Sequence, residues 1–348
     1  MDQTEALIIE TIDRHREEIL EFARDIYSHA ELGYKEFQTS GKFVKKMEQL
    51  GLRTEKGFAI TGVKAYLNED KKENASLALL GELDALRIPE HAFANPETNA
   101  AHCCGHHAQM AGVFGAALAL TVPEIAEKLD GQVVFFATPA EEYGEIEFKN
   151  QLREQGKIRY GGGKCELLRI GAFDDIDLCL THHIRPGNEI LVGSGTGNGF
   201  VSKVIRVLGK ASHAAGAPEK GVNALSAASL GLQALGLNRE TFRDEDCVRV
   251  HPIITKGGNL VNVIPDEVVV ETLVRGKTIE AFTDAAKKTD RSFKAGAIAM
   301  GAKVEISTLP GYLPTLAEEA LPELKHAAEI SASGIPVIEA SGHAGGST

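Results

Sequence analysis

Long apolar runs are missing from this sequence of 348 residues. None approaches the ~20 residues needed to cross a bilayer as a helix. The first residues, Met1 to Glu5, lack the basic and apolar regions of a secretory signal. Cysteine is scarce: there are five, two of them adjacent, which makes no disulfide framework and fits a reducing, cytoplasmic setting. Positive charge is in deficit, 37 Lys and Arg against 49 Asp and Glu for a net charge of -12, and this argues against a general nucleic-acid surface. Internal repeats and low-complexity segments are absent. What is present is an ordinary globular composition, 43% hydrophobic and 25% charged. The chain exceeds the size that one core usually serves, so two domains are expected.

The chemistry is concentrated between Ala101 and Gln109, where His102, Cys103, Cys104, His106 and His107 are crowded at the entrance to an Ala/Gly/Leu-rich helical stretch, Met110–Leu120. Thiol and imidazole donors in that density point to a transition-metal site. A helix entrance also favours thiolate over thiol. Three short apolar runs, each expected to be a buried strand, end in the same kind of residue. Ser76–Leu80 leads to Asp84, Gly131–Thr138 leads to Glu141-Glu142, and Ile176–Leu180 leads to His182-His183. In an open α/β sheet the carboxyl ends of strands are where ligands bind. Three strands delivering Asp, Glu-Glu and His-His to one edge outweigh any single motif.

An amphipathic helix is expected from Thr4 to Ala30, where Ile12, Ile19, Phe22 and Ile26 recur at helical spacing. A second runs through Phe43, Met47 and Leu50 to a stop at Gly51; His29 and Glu31 read as the turn and cap between them. From Gly197 the rhythm changes. Strands are expected at Phe200–Leu208, Val248–Thr255, Val261–Val274 and Ala302–Ser307, and helices at Asn223–Leu237 and Thr278–Met300. That β-α-β-β-α-β order is the split arrangement of a small α+β domain. A helix at Leu316–Ser331 and a strand from Ile335 follow.

Taken together these segments resemble the aminoacylase and carboxypeptidase-like family of co-catalytic metallopeptidases, in the amidohydrolase branch that holds hippurate, indole-acetyl-amino-acid and aminobenzoyl-glutamate hydrolases. The resemblance is carried by His29-Ala-Glu-Leu-Gly, Gly-Glu-Leu-Asp84-Ala-Leu, Cys104-Gly-His106, Pro-Ala-Glu141-Glu142, His183-Ile-Arg-Pro, Gly209-Lys-Ala-Ser-His213 and Asn262-Val-Ile-Pro-Asp with Arg275. It implies a zinc-peptidase-like α/β catalytic domain, a mixed sheet flanked by helices, over residues 1–196 and 309–348. Into it a ferredoxin-like α+β lid or dimerisation domain, 197–308, is inserted. It implies two divalent metals, zinc or manganese before cobalt or nickel, on Cys104, His106, Glu142 and His183, with Cys104 bridging.

The catalytic residues implied are Glu141 as the general base, Asp84, and His213 reaching into a neighbouring subunit's site to polarise the scissile carbonyl; Asn262 and Arg275 are implied to hold the substrate. The expected protein is a homodimeric hydrolase of an N-acyl or N-aroyl amino acid or small dipeptide, with no nucleic-acid or membrane partner. Two departures stand out. His107 and Gln109 replace the Asp and His usual after the metal loop, which makes His107 a substitute ligand candidate. Family members also continue past Thr348 to one further ligand, so the catalytic part reads as C-terminally truncated, with His343 a conceivable replacement. The rival expectation is a non-catalytic amino-acid-binding protein whose metal centre has decayed at these positions.

Overall fold

The computed structural model describes residues 1–344; the expectation placed on residues 345–348 lies outside the described residues. Two main sheets organise the chain. The first has the order Arg53–Phe58, Gly62–Leu67, Gln132–Thr138, Ser76–Glu82, Leu178–Thr181. Ser76–Glu82 is parallel to both neighbours, whereas Gly62–Leu67 runs antiparallel to its own, so the sheet is mixed. Gln132–Thr138 is buried along its whole length, as a central strand covered on both faces must be. Its pleat sends Phe135 into a core with Phe43, Met110 and Phe114, and Phe136 into a second core with Tyr34, Leu80 and Leu167. The helix His106–Leu120 packs on the first of these faces; it is apolar on nearly every side, which suits a core helix.

The expected N-terminal helix is two, Gln3–Arg14 and Arg16–Ser28, because His15 leaves helical geometry with φ -96° and ψ 13°. The next helix, Phe37–Gln49, ends before Gly51 as expected, and Gly51 takes φ 78°. Glu31 caps it from outside: its carboxylate accepts the N–H of Gln38 and Thr39 and the Thr39 hydroxyl.

The second sheet is antiparallel throughout. Its order is Lys303–Pro310, Gly199–Leu208, Glu267–Gly276, with Arg249–Val250 and Ile253–Lys256 sharing the last edge. With helices Ala224–Asn238 and Ile279–Met300 packed together against it, this is the ferredoxin-like arrangement. Prolines explain where the elements are shorter than expected. Pro252 splits the expected Val248–Thr255 strand, and Pro265 delays the next until Glu267, since proline cannot donate to a ladder. The later helix is Pro322–Ser331, with its proline in the first turn, rather than Leu316–Ser331. Among the described residues three α-helices had no counterpart in the sequence reading, the single turn Pro123–Ala126 and the longer Ile146–Glu154 and Gly163–Arg169. Among the described residues no helix is long and apolar enough to cross a membrane.

Candidate metal centre

Three parallel strands fix where the chemistry gathers. Ser76–Glu82, Gln132–Thr138 and Leu178–Thr181 point the same way, so Glu82 and Asp84, Glu141-Glu142, and His182-His183 leave the sheet at one edge. Cys104 and His106 arrive there through the loop that opens the His106 helix. Gly105 between them has φ 91°, and a Cβ on it would lie 2.3 Å from the Ile184 side chain; only glycine fits this turn. The Glu141 turn is strained too: Ala140 has φ 47°. Its N–H donates to Glu36 Oε1 at 2.7 Å, and its carbonyl accepts the Gly163 N–H at 2.8 Å. A Cβ on Gly163 would sit 1.7 Å from the Pro139 carbonyl oxygen, so the chain can close over Glu141 only with glycine there.

His106 is fully buried. Its Nδ1 lies 2.8 Å from the Asp84 carbonyl oxygen, an acceptor only, so Nδ1 carries a proton and Nε2 is left to take a metal or a second proton. That Nε2 is 3.0 Å from Glu82 Oε2 and 3.9 Å from Glu141 Oε2. Cys104 Sγ is 3.2 Å from His183 Nε2. Burial alone would make His106 less basic, but its contacts with Asp84, Cys104 and Glu82 raise its proton affinity instead. Burial raises Glu141 to about 7, with Lys164 pulling against the neighbouring carboxylates, and it raises Glu142 as well, helped by Asp84. Glu82 is brought down to about 2 against its burial by His106 and Lys164. His183 rises to about 9 through its contact with Cys104.

These residues fit a divalent cation. His106 Nε2, Glu82 Oε2 and Asp84 Oδ1 are buried without a hydrogen-bond partner. Lone pairs facing one another at 3 Å repel unless a proton or a metal stands between them. Donor atoms of Cys104, His106 and His183 lie within 4.8 Å of one another, and so do those of Glu82, His106 and Glu141. Thiolate, imidazole and carboxylate together suit a borderline metal. Asp84 supports the set from beneath: its Oδ2 accepts the Glu142 N–H at 2.9 Å.

The other candidates fall in different places. His107 turns away, stacking 4.9 Å from the Tyr27 ring and 5.4 Å from His102, and it joins neither donor group. Its replacement by Ala is expected to leave bound metal per chain unchanged within about 20%, read by elemental analysis. Gln109 is a clamp: its Oε1 accepts the Glu82 N–H at 2.7 Å, and its Nε2 donates to Thr181 Oγ1 and the His182 carbonyl. His343 pairs with Thr196 and Asn198, so its ring nitrogens are engaged in the link to the second sheet. His213 and Asn262 are neighbours: the Ala214 N–H donates to the Asn262 carbonyl at 3.0 Å, and His213 bridges to Val263. Arg275 is elsewhere, across the ladder from Phe200 and 5.9 Å over its ring. The His213 loop follows the opposite end of that ladder, where Leu208 pairs with Glu267; eight residues of strand amount to about 26 Å.

Sequence reasoning missed Glu82, Lys164, Lys149 and Glu36. Lys164 pairs with Glu82. Lys149 is buried, donates to the Glu142 carbonyl, and lies between the rings of Tyr34 and Tyr143. Glu36 is fully buried, and burial together with the Asp84 charge lifts it to about 7. A carboxyl raised in the folded state holds its proton better there than in the unfolded chain. Its contribution to stability is therefore greatest below the unfolded value of about 4.5 and is lost as pH rises to about 7. Glu36→Gln should flatten that fall, by on the order of 2 kcal/mol at pH 8 relative to pH 5, measured by denaturant titration.

The chain is also similar to known proteins in sequence and in fold. Residues 197–298 match the peptidase dimerisation domain of the M20 family. The chain is 29% identical over 306 residues to the Xaa-Arg dipeptidase of Mus musculus, covering 86% of this chain and 64% of that one. It is 30% identical over 272 residues to an IAA-amino acid hydrolase of Arabidopsis thaliana, covering 76% and 56%. In fold it resembles a dinuclear metal binding peptidase of the M20 family from Bacillus subtilis, with a TM-score of 0.58 at 23% identity, covering 94% and 83%. The chain thus spans less than two thirds of the length of these two curated relatives. These likenesses support the M20 family of peptidases and amidohydrolases, the family that the chain's motifs resemble.

Proposed function

We propose that this chain is a metal-dependent amidohydrolase that cleaves the amide bond of an N-acyl or N-aroyl amino acid or a small dipeptide. One observation carries the reading: Glu141, its proton affinity raised to about 7 by burial, stands with His106 and Glu82 in one largely buried group of metal-type donors, in which His106 Nε2 and Glu82 Oε2 have no hydrogen-bond partner. A group that binds a proton near neutrality is matched to general acid–base work.

Cys104, His106, Glu142 and His183 are the residues assigned to two divalent ions, zinc or manganese in the first place and cobalt or nickel within reach of the same donors. When bound, the ions supply Lewis acidity, which makes the amide carbonyl more electrophilic and water more acidic. The chain's own residues do the rest. Glu141 takes a proton from the attacking water and returns it to the leaving nitrogen. Asp84 orients both His106 and the Glu142 main chain, as an outer partner of ligands should. His213 Nδ1 accepts the N–H groups of Ala215 and Gly216, so its proton sits on Nε2, where it can donate to the scissile carbonyl oxygen.

The separation of His213 and Asn262 from Arg275 along the second sheet supports a dimer in which His213 and Asn262 serve the other copy's site, and Arg275 and Asn262 hold the substrate carboxylate. The name of the dipeptidase relative and that of the amino acid hydrolase relative both point to an amino acid bearing an N-acyl-type bond. The binding-protein rival loses its main support, because Gln109 fills a structural place and the lone-pair cluster is intact. The test is release of free amino acid from a panel of N-acyl amino acids and dipeptides by metal-loaded protein, abolished by chelation. Metal-loaded protein inert on the whole panel would overturn the reading.

A further inference from the structure

The two sheets meet at a pair of crossed hydroxyl contacts. Tyr143, directly after Glu141-Glu142, donates its hydroxyl to the Pro310 carbonyl at the end of the last strand of the second sheet, at 2.5 Å. Two residues beyond Pro310, Tyr312 donates its hydroxyl back to the Glu141 carbonyl at 2.8 Å. Phe200, from the first strand of the same sheet, is nearly fully buried beneath both rings. Its ring stands edge-on to Tyr143 at 4.9 Å and to Tyr312 at 5.6 Å. The backbone closes the junction: the Phe200 N–H donates to the Tyr312 carbonyl at 2.9 Å, and the Gly311 N–H to the Phe200 carbonyl at 3.2 Å. The entry and exit of the second sheet are thus zipped at one point, and that point touches the main chain of the assigned base.

We propose that Tyr312 is a positioning residue for Glu141: it ties the Glu141 peptide to the place where the chain returns from the second sheet, so that the carboxylate is aligned only while the two sheets keep this relation. The inference rests on the reading of Glu141 as the base. The backbone from Ala140 to Glu142 is held from four sides, one of them the Asp84 carboxylate, which accepts the Glu142 N–H. Glu36 takes the Ala140 N–H and Gly163 donates to the Ala140 carbonyl, and both belong to the surroundings of the first sheet. Tyr312 takes the remaining side and is, of these four anchors, the one that comes from the second sheet. Ala140 is in the left-handed region, a conformation that persists only where its surroundings over-determine it, so losing the Tyr312 anchor should loosen the Glu141 peptide, leaving Asp84 to hold it by the Glu142 N–H alone. The approach is close. A Cβ on Gly162 would lie 2.5 Å from the Tyr312 hydroxyl oxygen, which leaves room for the phenol and little else. A shift of about 1 Å in a catalytic group can cost about 10²-fold in rate.

The test is Tyr312→Phe, which removes the donor and keeps the ring. Tyr66→Phe serves as the control, because the Tyr66 hydroxyl donates to Glu55 on the outer edge of the first sheet. At equal metal content, Tyr312→Phe should lower kcat about tenfold with KM changed less than about threefold, while the control stays within twofold. Amide hydrogen exchange in the peptide containing residues 139–144 should quicken in Tyr312→Phe and not in the control. With an active wild-type protein, a kcat within twofold of wild type in Tyr312→Phe overturns the proposal. If metal-loaded wild-type protein hydrolyses nothing, the catalytic reading fails by itself and exchange decides alone: faster exchange upholds the tether, and unchanged exchange overturns it.

Discussion

Glu141→Gln is expected to lower kcat by about 10³-fold while bound metal per chain and thermal stability stay close to wild type. The substitution keeps the shape of the side chain and removes its ability to hold and release a proton. Burial and the surrounding carboxylates raise Glu141 to about 7, so in wild type the acid limb of kcat/KM should reflect this group, with activity rising as pH increases toward neutrality and the carboxylate forms. Divalent ions beside it favour the charged form, and the limb of the loaded protein should lie below 7. In Glu141→Gln that limb should disappear along with most of the rate. A variant retaining more than a tenth of wild-type kcat would show that Glu141 is not the proton carrier.

Cys104→Ala is expected to have the largest effect on the metal itself. Its Sγ is the soft donor in the group with His106 and His183, and it is 3.2 Å from His183 Nε2. Deleting an outer partner of a ligand typically costs about 10- to 100-fold in affinity, so deleting the thiolate should weaken metal binding by at least about 100-fold and remove activity with it. His183 should respond as well. The Cys104 contact is the first cause of its rise to about 9, and in the metal-free variant its titration should move back toward the usual range for imidazole, as followed by NMR. Metal titration by calorimetry checks the first expectation. Unchanged affinity would remove Cys104 from the ligand set.

Most of the first sheet was legible in the sequence, since Gln132–Thr138 is a continuous apolar run of the kind that only a doubly covered strand needs. The edge carrying Asp84, Glu141-Glu142 and His183 was legible for the same reason: each group directly follows such a run. The ferredoxin-like order could also be read, though its boundaries shifted where Pro252, Pro265 and Pro322 act. The stretch 145–169 gave no periodic signal strong enough to read, yet its helices bring Lys149 and Lys164 under the carboxylates. Glu82 was hidden because nothing in Gly-Glu-Leu-Asp distinguishes it until His106 is placed 3.0 Å away. His107 illustrates the converse. Its neighbours in sequence are metal-type donors, but consecutive residues at the start of a helix point about 100° apart, so His106 faces the carboxylates while His107 faces Tyr27. Tyr312 and Tyr143 meet across 169 positions, and no local pattern marks such a pair.

The central claim is that Cys104, His106, Glu142 and His183 hold divalent ions beside Glu141, and anomalous diffraction from crystals grown with zinc or manganese tests it most directly. Peaks are expected within about 2.0–2.3 Å of His106 Nε2, Cys104 Sγ and a Glu142 oxygen if zinc is bound. An empty pocket at ample metal, or peaks only at unrelated histidines such as His102 and His107, would contradict it.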